Sequence, residues 1–506
     1  MADLDQRIAA AYGVQLTVAG WLPPGARPER LIVVADDIAQ VIGDRPPRPT
    51  PVREATWSPS PPPPRPAVGA AAREAALRAM LPWAAVRGAR LDALELHVDA
   101  AGACTTRASR AIASGERVAT IPRRAMIIDD GLAASATGSI DPFGPMIASG
   151  PSTLAVWLAL EQRCAESPWR PYLDVLPHAL PDLPCYRDEV DQDELIGTAA
   201  RTSIAAAGKQ VTDLHGLLIA DLRDRISAAE YAWGCAVVAS RGYRLTIAGI
   251  DHYALVPISD LLDHRPGDTR WVFDDVEDAM VYTALRPFAA GEPVHASYGA
   301  IGNARLLLNY GFALADNPND EAALVFAPTP SVRADLVAHL LWDLPLAAPA
   351  ALPVGTCIDA RFRRALSLAR LRVAPFADVL AAVGEGALHR RELTWLGADN
   401  ERAALAELAT AARAGLERLA GHASDAGTGL AESARTSWQR ACALVRHGER
   451  ALLAEIVAFT AAAAPLLVAP TAAALTAAAA AIPDDATGRD RLLREYLHGV
   501  ADVLGA

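Results

Sequence analysis

Apolar residues recur three to four apart in "AAREAALRAMLPWAAVRGAR" (71–90), a spacing that predicts an amphipathic helix stopped by a glycine. The pattern then changes to alternation. "ALELHVDAAG" and "RVATIP" read as short strands, with "SRAIASGE" as the turn between them. Residues 151–240 return to helical spacing, including "TLAVWLALEQRCAE" and "AEYAWGCAVVASR". Strand-like pieces come back at "RLTIAG", "ALVPISDLL" and "AMVYTAL", ending in "FAAGEPVHASYG". From about 330 onward the text is alanine-rich and helical throughout. β-rich segments thus flank a helical insertion, an α+β pattern without the βαβ rhythm of a doubly wound sheet.

Ahead of this body, residues 1–44 carry one strand-like run, "LIVVA", and read as a small module of unknown role. "RPPRPTPVREATWSPSPPPPRP" (45–66) holds ten prolines and reads as an extended, semi-rigid linker. With 506 residues and a 52% hydrophobic fraction, the chain has room for two to four domains with real cores. Its formal charge of −12 argues against nucleic acid as the main partner, because phosphate binding needs a basic surface. Lys209 is the one lysine, which leaves 46 of the 47 basic residues as arginine and fits a GC-rich genome. The six cysteines form no CxxC pair, which speaks against structural zinc and for a reducing, cytoplasmic setting. No signal peptide is visible at the start, and the most apolar stretch (463–482) contains prolines and is mostly alanine, unlike a membrane span.

The common catalytic signatures are absent: no GxGxxG after a strand, no Walker loop, no HExxH and no GxSxG. Asp260 and His264 lie four apart, but a lone pair without further ligands makes a poor metal site. Other segments stand out in order: "AIASGERVATIP" (111–122), "SPWRPYLDVLP" (167–177), "EYAWGCAVVASRGY" (230–243), "LVPISDLLDH" (255–264) and "SYGAIGNARLLLNYGFALADNPND" (297–320). The last places two of ten tyrosines beside glycines, at Tyr298-Gly299 and Tyr310-Gly311, around a short helical run. Together the five segments resemble the SET-domain protein methyltransferases of the Rubisco large-subunit methyltransferase type. The likeness runs from about 78 to 458, because "ELTWLGADNERAALAELA" and "ALVRHGERALLAEI" are similar to motifs of that family's helical substrate-binding domain.

The resemblance implies transfer of a methyl group from S-adenosylmethionine to a protein side chain, with no metal. In-line displacement demands alignment above all. A lysine must also be held neutral, at a cost of about 4–5 kcal/mol unless its surroundings depress its pKa. Carried over by motif, Glu116, Arg117 and Val118 match a turn whose backbone lies along the cofactor. Arg241 matches the partner of the cofactor's carboxylate, a group suited to a guanidinium fork. Asp260, Asp263 and His264 match the stretch that holds the amino group and adenine. Tyr298 matches the tyrosine at the methyl-transfer point, and Tyr310, Gly311 and Phe312 the segment packed beside the cofactor. Tyr243 stands where lysine-methylating members have an aromatic and histidine-methylating ones an asparagine. Two departures are evident: the family's Asn-His is Asp263-His264, and its "G.G" turn is "GACTT" (102–106), with Ala103 and Thr105 at the glycine positions.

The expected architecture is α+β: a SET-type, β-rich catalytic fold with an inserted helical subdomain and a C-terminal all-α domain. Its expected boundaries are a module at 1–44, a linker at 45–70, a catalytic domain at 71–325 with its insertion at about 145–238, a helical substrate-binding domain at 326–458 and an alanine-rich extension at 459–506. The expected partner is a protein docked between the catalytic and helical domains, with neither nucleic acid nor membrane involved. The expected activity is protein-lysine N-methylation. A non-catalytic SET-like binding module and a histidine methyltransferase are the alternatives. Trp169 and Tyr172 are expected in the core of the insertion, and Asn400 and Glu401 at a helix cap.

Overall fold

The computed structural model describes residues 70–99, 103–130, 150–180, 182–187, 192–328, 350–382, 393–421 and 436–505. The expected N-terminal module and proline-rich linker lie outside these residues. The chain divides into two compact units, one within Ser58–Asp320 and Leu419–Glu449, the other within Glu321–Arg418 and Arg450–Ala506.

The first unit opens with helix α1 (Ala70–Val86), then strands β1 (Leu94–Val98), β2 (Cys104–Ala108), β3 (Arg117–Pro122) and β4 (Ile127–Ile128). A helical block comes next: α2 (Gly150–Glu161), α3 (Arg170–Leu173), α4 (Ala199–Leu217), α5 (Ala220–Arg225) and α6 (Ala228–Arg241). The chain then forms β5 (Gly242–Ile247), β6 (Ile250–Leu255), a 3₁₀ turn at Ser259–Leu261, β7 (Thr269–Asp274), β8 (Ala279–Ala284) and α7 (Asn303–Tyr310). β1 and β2 form an antiparallel pair, and two three-stranded sheets have the orders β3-β8-β7 and β4-β6-β5. Each of those sheets joins a strand made before the helical block to strands made after it. The block is therefore an insertion, closed at its base by two sheets whose partners are more than a hundred residues apart.

Local chemistry explains why the insertion ends where it does. Ser227 and Glu230 form a reciprocal capping box at the start of α6, so the helix begins at a defined residue and delivers Arg241 at its last position. α2 buries residues on every side, as a helix with no polar face must. It crosses α6 at close range: a Cβ on Gly234 would lie 2.4 Å from the Ala155 carbonyl oxygen, so only glycine fits. The Tyr231 hydroxyl donates to Ser152 Oγ at 3.0 Å across the same contact.

Two strands in this unit carry weaker signals than their neighbours. β2 is "CTTRA", which overlaps the "GACTT" stretch at Cys104, Thr105 and Thr106, and β7 is "TRWVFD"; neither shows a clean two-residue alternation in the sequence. Both become strands because a partner supplies the ladder, β1 for one and β8 for the other.

The second unit contains β9 (Ala322–Phe326), β10 (Ala350–Val354), α8 (Ala360–Val373), α9 (Phe376–Ala382), α10 (Ala398–Leu419), the C-terminal part of α11 (Ser437–Leu466), α12 (Ala472–Ala480) and α13 (Gly488–Gly505). β9 and β10 pair antiparallel, so the region past 330 is not helical throughout. Ala350, Ala351 and Pro353 lack strand propensity, and pairing with β9 overrides it. The core holds Phe362, Phe459 and Tyr496, with the Phe459 ring edge-on to both others. Glu401 is fully buried there instead of capping a helix in solvent. Arg370 holds it bidentately through Nε and Nη2 at 2.7 Å each, and the Tyr496 hydroxyl donates to it at 2.8 Å. Tyr496 lies in the expected C-terminal extension, and the expected boundary at 458 falls inside α11. Among the described residues no helix is long and apolar enough to cross a membrane.

Gly234→Ala is expected to destabilise the first unit by about 1–3 kcal/mol, because the added methyl meets rigid backbone. The check is thermal unfolding, in which a loss of that size lowers the midpoint by about 2–4 °C per kcal/mol.

Candidate functional site

Asp260 lies in the 3₁₀ turn with its side chain wholly inaccessible. The turn is entered through Ile258, whose φ of 76° and ψ of −52° place a buried β-branched residue in the rare γ-turn region. Two side chains from outside the turn hold Asp260 in place. The Tyr172 hydroxyl donates to Asp260 Oδ2 at 2.9 Å, Arg241 Nη1 donates to the Asp260 carbonyl oxygen at 2.7 Å, and the same Nη1 lies 3.5 Å from Oδ2. Tyr172 is indeed core, as expected, but it is core that fixes a site residue. Burial pushes the Asp260 carboxyl up, opposed by the Arg241 charge. Burial acts to lower the Arg241 value, but Asp260 and then Tyr172 and Tyr298 outweigh it and hold it above the ordinary arginine range.

This pair is incompletely satisfied. Arg241 Nε and Asp260 Oδ1 are both buried and have no hydrogen-bond partner among the described residues. Orphaned buried polar atoms cost about 1–3 kcal/mol each unless a ligand or water supplies the partner. The Arg241 side chain keeps some exposure, whereas the Asp260 side chain has none, so of the two only the guanidinium can face a ligand directly.

The tyrosine-glycine stretch packs against the same place. The Tyr298 hydroxyl donates to the Leu262 carbonyl at 2.8 Å, and the Tyr298 N–H donates to His264 Nδ1 at 3.0 Å. The His264 ring stacks on Tyr298 at 4.9 Å, and Tyr298 meets Tyr310 at 4.7 Å. Phe312 touches both His264 and Tyr310, at 6.3 and 6.1 Å. The ring cluster is placed by a polar knot around Asn303 at the head of α7. Asp320 accepts from the Asn303 N–H at 2.8 Å and from its Nδ2 at 3.0 Å. The Asn303 Oδ1 in turn accepts from the Leu314 N–H at 2.8 Å and from Asn317 Nδ2 at 3.2 Å. Gly311 ends α7 in the left-handed region at φ 79°, and a Cβ there would lie 2.5 Å from the Asp182 carbonyl oxygen. The second Tyr-Gly pair is thereby explained: the glycine turns the chain so that Tyr310 and Phe312 flank the Tyr298–His264 stack.

A second aromatic wall stands beside it. The Tyr243 hydroxyl donates to the Ser259 carbonyl at 3.0 Å and lies 3.3 Å from the Tyr282 hydroxyl, while Ser259 Oγ bonds both phenols. Trp271 meets Tyr243 edge-on at 5.4 Å. Burial pushes the Tyr282 phenol up to about 12 and those of Tyr243 and Tyr298 well above the tyrosine range. Tyr282 and Ser259 had no individual signal in the sequence, since each sits inside an ordinary apolar run.

Arg241, Tyr243, Asp260, Asp263, His264, Tyr298, Tyr310 and Phe312 are thus linked through hydrogen bonds, ring contacts or electrostatic influence. Asp263 faces solvent, and its carboxyl is raised by the desolvating bulk around it, against the pull of His295 and Arg241. Glu116, Arg117 and Val118 are occupied elsewhere. Glu116 accepts from Arg110 and from the Ala113 N–H, and its own N–H and carbonyl bond Ala113 and Ala284. Arg117 pairs with Glu277 on the surface, and Val118 is buried at a bulge between β3 and β8. Cys104 on β2 stands nearer the charged centre. Its thiol is raised by burial and feels Arg73, Arg241, Asp260 and Asp263. β2 packs on the 3₁₀ turn, which the unexceptional "CTTRA" text did not announce.

His264 gives this site a pH dependence. Burial, the largest influence, lowers its pKa below the ordinary 6.5, and Nδ1 must be unprotonated to accept the Tyr298 N–H. The unfolded chain takes up the proton first, so stability is complete above about 6.5 and declines as the pH falls toward the folded-state value. His264→Asn keeps an acceptor that does not titrate. Melting curves between about pH 7 and about pH 5 are expected to show a smaller acid loss in the variant than in the wild type.

No family model matches the chain. The actin-histidine N-methyltransferase of Danio rerio is 25% identical over 266 residues, covering 50% of this chain and 44% of that protein. The Homo sapiens actin-histidine N-methyltransferase is 24% identical over 274 residues, covering 50% and 45%. The chain spans about half the length of the curated relatives it matches. Among solved structures, the SET domain of LSMT bound to lysine and AdoHcy superposes with a TM-score of 0.63 at 19% identity, covering 78% of this chain and 93% of that one. Rubisco LSMT bound to AdoMet superposes with a TM-score of 0.62 at 20% identity over the same shares. The chain has the SET fold, in the form that the Rubisco large-subunit methyltransferase structures display.

Proposed function

We propose that the chain is an S-adenosylmethionine-dependent protein N-methyltransferase that acts on lysine. The observation that carries the reading is the buried, half-satisfied Arg241–Asp260 pair beside the Tyr298 ring cluster. The Arg241 guanidinium, whose side chain keeps some exposure, suits the cofactor's carboxylate, and the open Asp263 carboxylate suits its ammonium, while the sealed Asp260 holds Arg241 in place. His264, Tyr310 and Phe312 offer flat apolar surfaces to a purine. When bound, S-adenosylmethionine supplies an electrophilic methyl group and a thioether leaving group.

The chain's own residues would then orient the nucleophile. The Tyr298 hydroxyl spends its proton on the Leu262 carbonyl, so its oxygen is left with acceptor capacity toward an incoming N–H, whereas the Tyr243 oxygen already accepts from Ser259 Oγ. Because burial holds the Tyr298 phenol protonated, it acts as an acceptor and not as a base. An amine entering between rings loses its hydration, which favours the neutral form it needs. Tyr243 supports lysine over histidine, since its ring and that of Trp271 form a wall for an alkyl chain. Histidine is the second reading, favoured by the names of the relatives in sequence.

Incubated with radiolabelled S-adenosylmethionine and lysate, the enzyme is expected to label one or a few proteins at lysine, as read by mass spectrometry. Tyr298→Phe is expected to lower the rate by about a hundredfold through lost alignment. Modified histidine in the product would replace the lysine reading, and unchanged labelling in the variant would remove Tyr298 from the mechanism.

A further inference from the structure

The Asp263 carboxylate accepts no hydrogen bond among the described residues, yet its backbone is held as firmly as any at the site. Its carbonyl accepts from the Ala296 N–H at 2.9 Å. On one side Leu262 receives the Tyr298 hydroxyl, and on the other His264 stacks on the Tyr298 ring. A solvent-facing anion is therefore fixed between the two residues that grip the central tyrosine, within the electrostatic reach of Arg241 and Cys104. The charged groups that act on Asp263 and its neighbour Cys104 are the cations Arg73 and Arg241 and the anions Asp99, Asp260 and Asp263, with His295 also near Asp263. Asp260 already lies against Arg241 and cancels it. Asp263 adds one negative charge to this set, where the motif that this stretch resembles has a neutral asparagine.

We propose that Asp263 makes the site discriminate for the cationic methyl donor against its neutral demethylated product. This rests on the function proposed above. Donor and product share the adenosine, the carboxylate and the ammonium, so contacts with those groups cancel when the two are compared. They differ at sulfur. Methyl transfer forms an N–C bond to the acceptor amine and breaks the S–C bond, whose electron pair stays on sulfur. The sulfonium becomes an uncharged thioether, and the positive charge leaves with the methylated amine. Two methylene groups and the α-carbon separate sulfur from the ammonium, so an anion placed to meet the ammonium is also within several ångströms of the sulfonium. The negative charge that Asp263 adds then attracts only the donor at that position. At a partly solvated separation of this size the attraction corresponds to about three- to tenfold in relative affinity. The consequence is weaker product inhibition than a neutral residue would give.

The experiment is calorimetric titration of the full chain with S-adenosylmethionine, with S-adenosylhomocysteine and with sinefungin, whose amine replaces the sulfonium, in the wild type and in Asp263→Asn. The proposal expects the donor-to-product affinity ratio to fall about three- to tenfold in the variant, with sinefungin tracking the donor, and the wild-type ratio to fall as salt rises. Because Asp263 is exposed and asparagine is isosteric, folding is checked by an unchanged melting temperature. If the variant fails that check, the salt series on the wild type alone answers the question, and a salt-independent ratio overturns the proposal. Equal losses for donor and product, or no change in their ratio, also overturn it while leaving the methyltransferase reading intact. A wild type that binds none of the three ligands overturns both.

Discussion

The geometry of the site hangs on a carboxylate that water cannot reach. Asp260 is held in a turn that begins with a strained Ile258, by a tyrosine from the helical insertion and by the arginine that ends α6. A charge buried in this way is tolerable only with partners in place, because an isolated one would be far costlier than any single contact in the fold could offset. The helical insertion and the β-rich frame are thus locked together at one atom group. Moving α6 by one residue would withdraw Arg241 and leave Asp260 unpaired. The capping box that starts α6, the close α2–α6 crossing at Gly234 and the β4-β6-β5 sheet that receives the chain after Arg241 all serve that single registration.

The same pair is left half open. Its surroundings are closed: the tyrosine hydroxyls are given to backbone carbonyls, Asn303 is bonded by Asp320, Leu314 and Asn317, and the Tyr298–His264 stack is flanked by Tyr310 and Phe312. Among the described residues, Arg241 Nε and Asp260 Oδ1 are the buried side-chain atoms of this cluster that stay without partners. Rigid surroundings with two specific unmet hydrogen-bonding atoms form a preorganised arrangement, in which the ordering is done before a ligand arrives. The second unit shows the closed version of such chemistry. Glu401 is equally buried, but Arg370 and Tyr496 bond it in full, and it serves the core.

Much of the fold was legible in the sequence. The strand character of β1, β3, β5 and β8 and the helical spacing of α2 and α6 announced themselves, whereas the strand-like reading of "ALVPISDLL" meets β6 only at Ala254 and Leu255 and otherwise falls on the 3₁₀ turn. The ordered motifs led to Arg241, Asp260, His264, Tyr298 and Tyr310, which do converge. β2, β7 and β10 were not legible, because their residues have no strand pattern of their own and take it from a partner strand. Glu116 to Val118 stand differently. A Gly-Glu turn before a strand is conspicuous in the text, and the Glu116 main chain there bonds Ala113 and Ala284, while inconspicuous Cys104 stands by the charges.

The sequence by itself determined the elements with strong local periodicity, the caps and left-handed glycines that end them, and the order of the chemical groups along the chain. Those are short-range properties, set by sterics and by which face of a segment is apolar. The tertiary structure alone decided which polar atoms remain unsatisfied, which phenols donate to backbone carbonyls and which of two similar turns meets the charged centre. Burial and hydrogen-bond partnership are shared between residues far apart along the chain, so no local window contains them.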